Sequence, residues 1–254
     1  MKAIVIGAGR GKRLGQLTQD IPKPLLPVLG RPILESILEA LEAGGFVRPE
    51  VVFVCGYRAE AIERAYPMLR YVHNRAWASN NILVSLMCAR EHMGGGFVSS
   101  YADIVYRPAI VRALVASPHD LVLACDTDWR RRYAARSEHP ESDAEKVRLD
   151  GDRVVEISRH VPASEAPAEF IGVMKASAAG AARLCAAYDA LRARAGEDGA
   201  FREGRSLRAA YLVDLLQELL EQGEPLHCIR TPGGYMEIDT PEDATLAESW
   251  WRGP

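Results

Sequence analysis

The chain has 254 residues, 48% of them apolar, and a formal net charge of −3. That is enough material for one large core, and the near-neutral balance gives no reason to expect nucleic acid or an anionic membrane as partner. No apolar run approaches the roughly 20 residues of a membrane span, and Met1-Lys2 leads straight into strand-like sequence, which predicts no signal peptide. The five cysteines are odd in number, far apart and mostly set in apolar runs. They read as buried thiols of a cytoplasmic protein, not as disulfides or a zinc site.

In chain order, Ala3 to Ile6 is the first predicted strand. It runs into Gly7-Ala8-Gly9-Arg10-Gly11-Lys12-Arg13-Leu14, a glycine-rich turn with three cations. Successive backbone N–H groups in such a turn make a concavity for an anion. Lys23 follows on a segment stiffened by Pro22 and Pro24, and together these predict a polyphosphate site. A helix is predicted after Pro32, with Ile33, Leu34, Ile37, Leu38 and Leu41 on one face and Gly44-Gly45 ending it. A strand over 51–54, a helix over 59–65 and a short strand over 69–72 lead to an Asn-rich turn and a helix over about 81–92. A strand at Phe97–Ser99, a helix at Ala109–Val115 and a strand at Leu121–Ala124 continue the alternation. Such alternation predicts a parallel sheet with helices on both faces and ligands at the carboxyl ends of its strands.

From Thr127 the pattern changes, with a cluster at Arg130, Arg131 and Arg132. A hairpin is predicted over 147–157 with its turn at Asp150-Gly151-Asp152, then a strand over 170–174 and an alanine-rich helix over 178–194. Residues 196–204 read as a mobile polar loop, 207–220 as one amphipathic helix, and 226–229 and 235–238 as strands flanking Gly233-Gly234. Thr240-Pro241-Glu242-Asp243 opens a last helix. The expectation is a single domain over 1–254, with a nucleotide-binding half to about 126 and an acceptor-binding half beyond it.

Spacing narrows the kind of phosphate site. A dinucleotide fingerprint needs a third glycine where Lys12 stands, which disfavours an NAD-type oxidoreductase, and a Walker loop fails because Arg13 follows Gly11-Lys12. Asp103 and Asp239 each lie just past a strand-like run. Beside the loop and Lys23 they suggest carboxylate ligands for Mg²⁺, although either alone would suit a turn or a helix cap.

Gly9-x-Gly11-x-Arg13, Pro22-Lys23-Pro24, Asn80-Asn81-Ile82, Asp103-Ile104-Val105, Asp126-Thr127-Asp128-Trp129, Ala144-Glu145-Lys146-Val147, Glu169-Phe170-Ile171-Gly172 and Glu237-Ile238-Asp239 occur in that order. The set resembles the cytidylyltransferases that act on phosphocholine and on small phosphonates, phosphonoformate included, and it spans nearly the whole chain. The resemblance implies a Rossmann-like nucleotidyltransferase fold of the glycosyltransferase-A kind: a mixed, mostly parallel sheet flanked by helices. It also implies joining CMP from CTP to a small phosphonate or phosphate ester, with Mg²⁺ as cofactor, pyrophosphate as product and a possible homodimer.

By that resemblance Ala8, Gly9, Arg10, Gly11, Lys12 and Arg13 hold the triphosphate, and Lys23 bridges the α-phosphate and the acceptor. Asp103 and Asp239 bind the metal, and Asn80, Asn81 and Ser85 contact the cytidine; a helix cap followed by core is an equal reading of those three. Asp128, Trp129, Tyr133, Lys146 and Glu169 fall to the acceptor, Trp129 and Tyr133 as an aromatic wall. The arginines nearby suggest a second anion on the acceptor, and Asp126, Asp128 and Glu169 an amine. Gly15 stands where many sugar-phosphate enzymes have proline, which argues against the rival reading of a sugar-1-phosphate nucleotidyltransferase. A non-catalytic regulatory subunit should have lost Lys23 or a metal acid, and this chain has them all.

Overall fold

Apolar residues alternate along the strands, and that alternation builds two cores. In the computed structural model, which describes residues 1–251, nine strands form one sheet: β1 (Lys2–Ile6), β2 (Val52–Cys55), β3 (Arg70–His73), β4 (Phe97–Tyr101), β5 (Leu121–Asp126), β6 (Lys146–Asp150), β7 (Arg153–Ser158), β8 (Ala168–Ala176) and β9 (Leu226–Thr231). Their order is β3-β2-β1-β4-β8-β5-β9-β7-β6. Within it β7 and β8 run against the other seven, so the sheet is mixed and mostly parallel. β8 lies between β4 and β5, which ties the later part of the chain into the middle of the earlier part.

Ala3, Val5 and Phe53 pack on one face against α1 (Ile33–Ala43) and α4 (Pro108–Ala116). Ile4, Ile6, Val52 and Val54 pack on the other against α3 (Ile82–Cys88), α6 (Ala178–Ala195) and α7 (Leu212–Glu221). The period of two puts neighbouring residues on opposite faces, so β1 and β2 serve both cores. The five cysteines are free thiols, and no helix among the described residues is long and apolar enough to cross a membrane.

Three segments depart from the sequence expectation. The helix over 207–220 is interrupted: a 3₁₀ turn at Leu207–Ala209 precedes α7. Tyr211 N–H donates to Asp214 Oδ2 at 2.7 Å in a capping box, which needs an extended backbone at Tyr211. The stretch 81–92 holds α3 and a separate 3₁₀ turn at Arg90–His92. The polar segment over 196–204 contains a short strand, Ala200–Arg202, paired with Arg205–Ser206. A ribbon not expected from sequence pairs Ile104–Tyr106 antiparallel with Tyr235–Glu237. Ile238 N–H donates to Asp103 C=O at 2.9 Å, so this ribbon brings residues far apart in sequence together past the carboxyl end of β4.

Candidate active site

The turn after β1 is built for close approach. Gly11 has φ +70°, and a Cβ there would meet Lys23 Cδ at 2.8 Å, so only glycine lets the lysine pass beneath the loop. Thr18 Oγ1 donates to Gly11 C=O at 2.9 Å and holds the turn. Gly15 has φ +58°, a backbone that proline cannot adopt. A Cβ on Gly9 would meet nothing within 4 Å, and Gly9 faces an open cavity of about 380 Å³.

Lys23 is 5% exposed and its Nζ lies 3.0 Å from Asp103 Oδ2 while also donating to Asp239 Oδ1. Arg13 pairs with the second oxygen of Asp239 and with Asp143. Burial opposes the Lys23 charge, but Asp103, Asp239 and Glu237 outweigh it and raise its pKa above the ordinary lysine value. Burial likewise opposes the Asp239 carboxylate, yet Lys23 and Arg13 hold its pKa below the usual range. Burial, with Asp239 and Asp103 close by, pushes Glu237 far up.

The carboxylate of Asp239 is aimed from behind. Asp243 Oδ2 accepts from the backbone N–H groups of Asp239 and Thr240, both at 2.9 Å, and Asp243 N–H donates to Thr240 Oγ1 at 3.2 Å. Thr240, not Asp239, therefore caps α8 (Pro241–Trp251). Arg136 and the buried His139 complete the Asp243 shell at 2.7 and 3.2 Å.

Most residues expected at the nucleotide do converge. Ala8, Gly9, Gly11, Lys12, Arg13, Lys23, Asn80, Asn81, Ser85, Asp103 and Asp239 all line the cavity. Arg10 does not; its guanidinium lies 5.7 Å from the centre of the Tyr57 ring. Asn81 Oδ1 accepts from Ile82 N–H at 2.8 Å as a helix cap, and its amide donates to Ala209 C=O. Asn80 is held by Asn74 through bonds of 2.8 and 3.0 Å, and Asn74 also donates to Ser85 Oγ at 2.9 Å. Asn74 is 2% exposed and was not singled out from sequence.

The acceptor set is placed differently. Glu169 lines the cavity; Asp128, Trp129, Tyr133 and Lys146 do not. Trp129 has no exposed surface, and its Nε1 donates to Ala166 C=O at 3.2 Å. It packs in a small core with Tyr133, Ala144, Val161 and Ala166, and the Tyr133 hydroxyl donates to Glu169 Oε1 at 3.0 Å. The expected aromatic wall is core because α5 (Trp129–Ala134) turns that face inward. Trp129→Ala is accordingly expected to cost about 3–5 kcal/mol of stability, read from urea melts, whereas Trp129→Phe should keep the KM for the acceptor; a changed KM would return Trp129 to the pocket.

Nor do the arginines offer a cationic pocket. Arg132 is buried between Asp126 and Glu169, Arg136 pairs with Asp243, and Arg130 donates to the carbonyls of Ala163 and Ala166. Asp128 is half-exposed with Arg131 at 3.6 Å, and among the described residues Lys146 Nζ reaches only the Glu141 carbonyl, at 3.5 Å.

Residues that sequence reasoning passed over also line the cavity, among them Trp77, Tyr101, Asp143, Arg159, Tyr211, Tyr235, and Glu145 and Glu237 from within quoted motifs. The charged lining is Lys12, Arg13, Lys23 and Arg159 against Asp103, Asp143, Glu145, Glu169, Glu237 and Asp239. A polyphosphate site with more carboxylates than cations fits a bound divalent metal. Asp103 Oδ1 is moreover buried with no hydrogen-bond partner, and hard oxygen ligands of this kind suit Mg²⁺. His139, Glu237 and Asp239 form a second set of potential ligands beside it.

A glycine loop at a strand end, a lysine threaded beneath it and two facing aspartates define a nucleotidyltransferase centre. Residues 3–209 match the MobA-like NTP transferase domain, and the chain belongs to that family. It is similar to the CTP:phosphoglutamine cytidylyltransferase of Campylobacter jejuni, 26% identical over 96% of this chain and 97% of the relative. It is also similar to the CMP-5'-(3-aminopropyl)phosphonate synthase of Streptomyces rubellomurinus, 36% identical over 51% of this chain and 21% of that one. The solved CTP:phosphocholine cytidylyltransferase of Streptococcus pneumoniae shares the fold, with TM-score 0.73 and 20% identity over 99% of both chains. The chain is an enzyme, a nucleotidyltransferase.

Proposed function

We propose that this enzyme transfers CMP from CTP to a small phosphonate or phosphate ester bearing an ammonium group, as aminoethylphosphonate and phosphocholine do, and releases pyrophosphate in the cytoplasm. The observation that carries the transfer is Lys23, buried at the glycine loop and shared by Asp103 and Asp239. An acceptor oxygen bonds to the α-phosphorus while the bond from that phosphorus to the bridging oxygen breaks, and the pair leaves with pyrophosphate. The acceptor is already ionised, so no general base is needed.

Two anions must meet, and the protein's part is charge compensation and alignment. The backbone of residues 8–11 and Arg13 would hold the triphosphate, and Lys23 would offset charge on the α-phosphate and the incoming oxygen. Asp103 and Asp239 would hold Mg²⁺, which supplies further neutralisation of the phosphates when bound. Residues up to about 126 serve the nucleotide, and the acceptor falls mainly to later ones. There Glu145, Glu169 and Glu237 stand with Tyr211 and Tyr235, joined by Tyr101 from the earlier half, and carboxylates among aromatic rings favour an ammonium over phosphonoformate or hydroxyethylphosphonate.

Glu145 supplies a pH signature. Burial raises its pKa to about 7 against the lowering effect of Arg159, with Glu169 and Asp214 adding to the rise and the Tyr101 hydroxyl, at 3.3 Å, opposing it. The folded state therefore holds a proton that the unfolded chain has lost, and stability falls as pH rises from the ordinary carboxylate range through about 7. An ammonium beside Glu145 favours its carboxylate, so KM for an amine-bearing acceptor should fall between pH 6 and 8. Glu145→Gln should retain only the part due to the acceptor's own phosphoryl titration; the same pH profile in both proteins would remove Glu145 from the pocket. The function itself is tested by pyrophosphate release with CTP and aminoethylphosphonate or phosphocholine, against glucose-1-phosphate; activity with the sugar phosphate alone overturns it.

A further inference from the structure

Arg159 lines the cavity and, unlike Arg13 and Lys23, is not assigned to the phosphates. It follows β7, its side chain is 24% exposed, and its Nε is buried without a partner. Among the described residues its guanidinium makes no hydrogen bond; its nearest carboxylate oxygen is Asp143 Oδ1, at 3.8 Å. What fixes it is the Tyr211 ring, whose centre lies 4.0 Å from the guanidinium carbon. Tyr211 in turn is held in place by the capping box that interrupts the helix there. A guanidinium has five donors in a planar fork, and leaving them unpaired in a mostly buried place is costly unless an anion arrives.

Glu145 lines the same cavity, and among the described residues its carboxylate accepts a hydrogen bond only from the Tyr101 hydroxyl. Arg159 and Glu145 influence one another electrostatically but form no ion pair. Opposite charges that face one open space without closing on each other complement a ligand carrying the reverse pair.

Building on the proposed function, we infer that the acceptor is zwitterionic beyond its phosphoryl group: an amino-acid-like phosphonate or phosphate whose carboxylate binds Arg159 and whose ammonium binds Glu145. Phosphoryl chemistry stays at Lys23, and Arg159 acts as the residue that selects the carboxylate. A bidentate guanidinium–carboxylate contact gives the orientation that a point charge does not.

Three matched phosphonates separate the groups: 2-amino-3-phosphonopropionate has both, 2-aminoethylphosphonate only the ammonium, and 3-phosphonopropionate only the carboxylate. Pyrophosphate release with saturating CTP and Mg²⁺ gives kcat/KM for each. The first is expected to exceed each of the others by about tenfold or more in the native enzyme. In Arg159→Met its advantage over 2-aminoethylphosphonate should fall toward one, and Arg159→Lys should recover only part of it. A native enzyme that shows no preference for the carboxylate, or an Arg159→Met enzyme that keeps it, overturns the inference and leaves the proposed function standing. Raised KM for CTP in Arg159→Met with the acceptor ratio unchanged assigns Arg159 to the nucleotide and overturns it too. Turnover of none of the three overturns the inference, and the proposed function falls with it only if phosphocholine is refused as well.

Discussion

Lys23→Ala is expected to lower kcat by about 10²–10³-fold or more, the scale seen when one preorganised charge partner of a transition state is removed. The size follows from position: Lys23 is almost wholly buried and its ammonium is the cation common to Asp103 and Asp239. Removing it also leaves those carboxylates less compensated, and breaking a buried pair from one side costs about 3–5 kcal/mol. The variant should therefore melt lower without divalent metal and recover part of the loss when Mg²⁺ is added, since Arg13, with His139 at 4.0 Å, is what remains on Asp239. Lys23→Met keeps the volume and separates charge from packing. Activity within a few-fold of native in either variant would mean that Lys23 is a structural cation only.

Asp239→Asn should be at least as damaging to turnover. Asp239 takes Lys23 on one oxygen and Arg13 on the other, so an amide there loosens both cations at once and removes a metal ligand. The expected result is loss of Mg²⁺-dependent activity by about 10²-fold or more, with the Mg²⁺ half-saturation shifted upward. The fold should persist, because the backbone at 239–240 is held by Asp243 and not by the Asp239 side chain. An unchanged metal titration would take Asp239 off the list of ligands.

The proposed nucleotide side of this site was legible as one cluster because its signals are local. Gly9-x-Gly11-x-Arg13 and Lys23-Pro24 follow a short apolar strand, and the structure places them around one cavity. The same holds for the helix of 59–65, whose bounds agree with α2 (Ala59–Ala65). The proposed acceptor side was less legible because its parts meet only through tertiary contacts. Arg159 and Tyr211 come from β-strand and helix ends far apart in sequence, and neither belongs to a motif. Conversely, Trp129, Tyr133 and Arg132 look like a pocket in sequence, but aromatic and charged residues four and three apart can equally face a core that satisfies them. Asp128 and Lys146 went the same way: spacing named the neighbourhood and not the direction of the side chain. The ribbon that joins 104–106 to 235–237 was missed because three-residue strands carry too little periodicity to register.

A crystal structure of the protein with CTP and Mg²⁺ tests the central claim most directly. The triphosphate is expected against the backbone of residues 8–11, with its α-phosphate in reach of Lys23 Nζ and the ion on Asp103 and Asp239. A triphosphate bound outside that cavity, or one inside it with Lys23 still closed on both aspartates and no ion at their oxygens, would contradict the account.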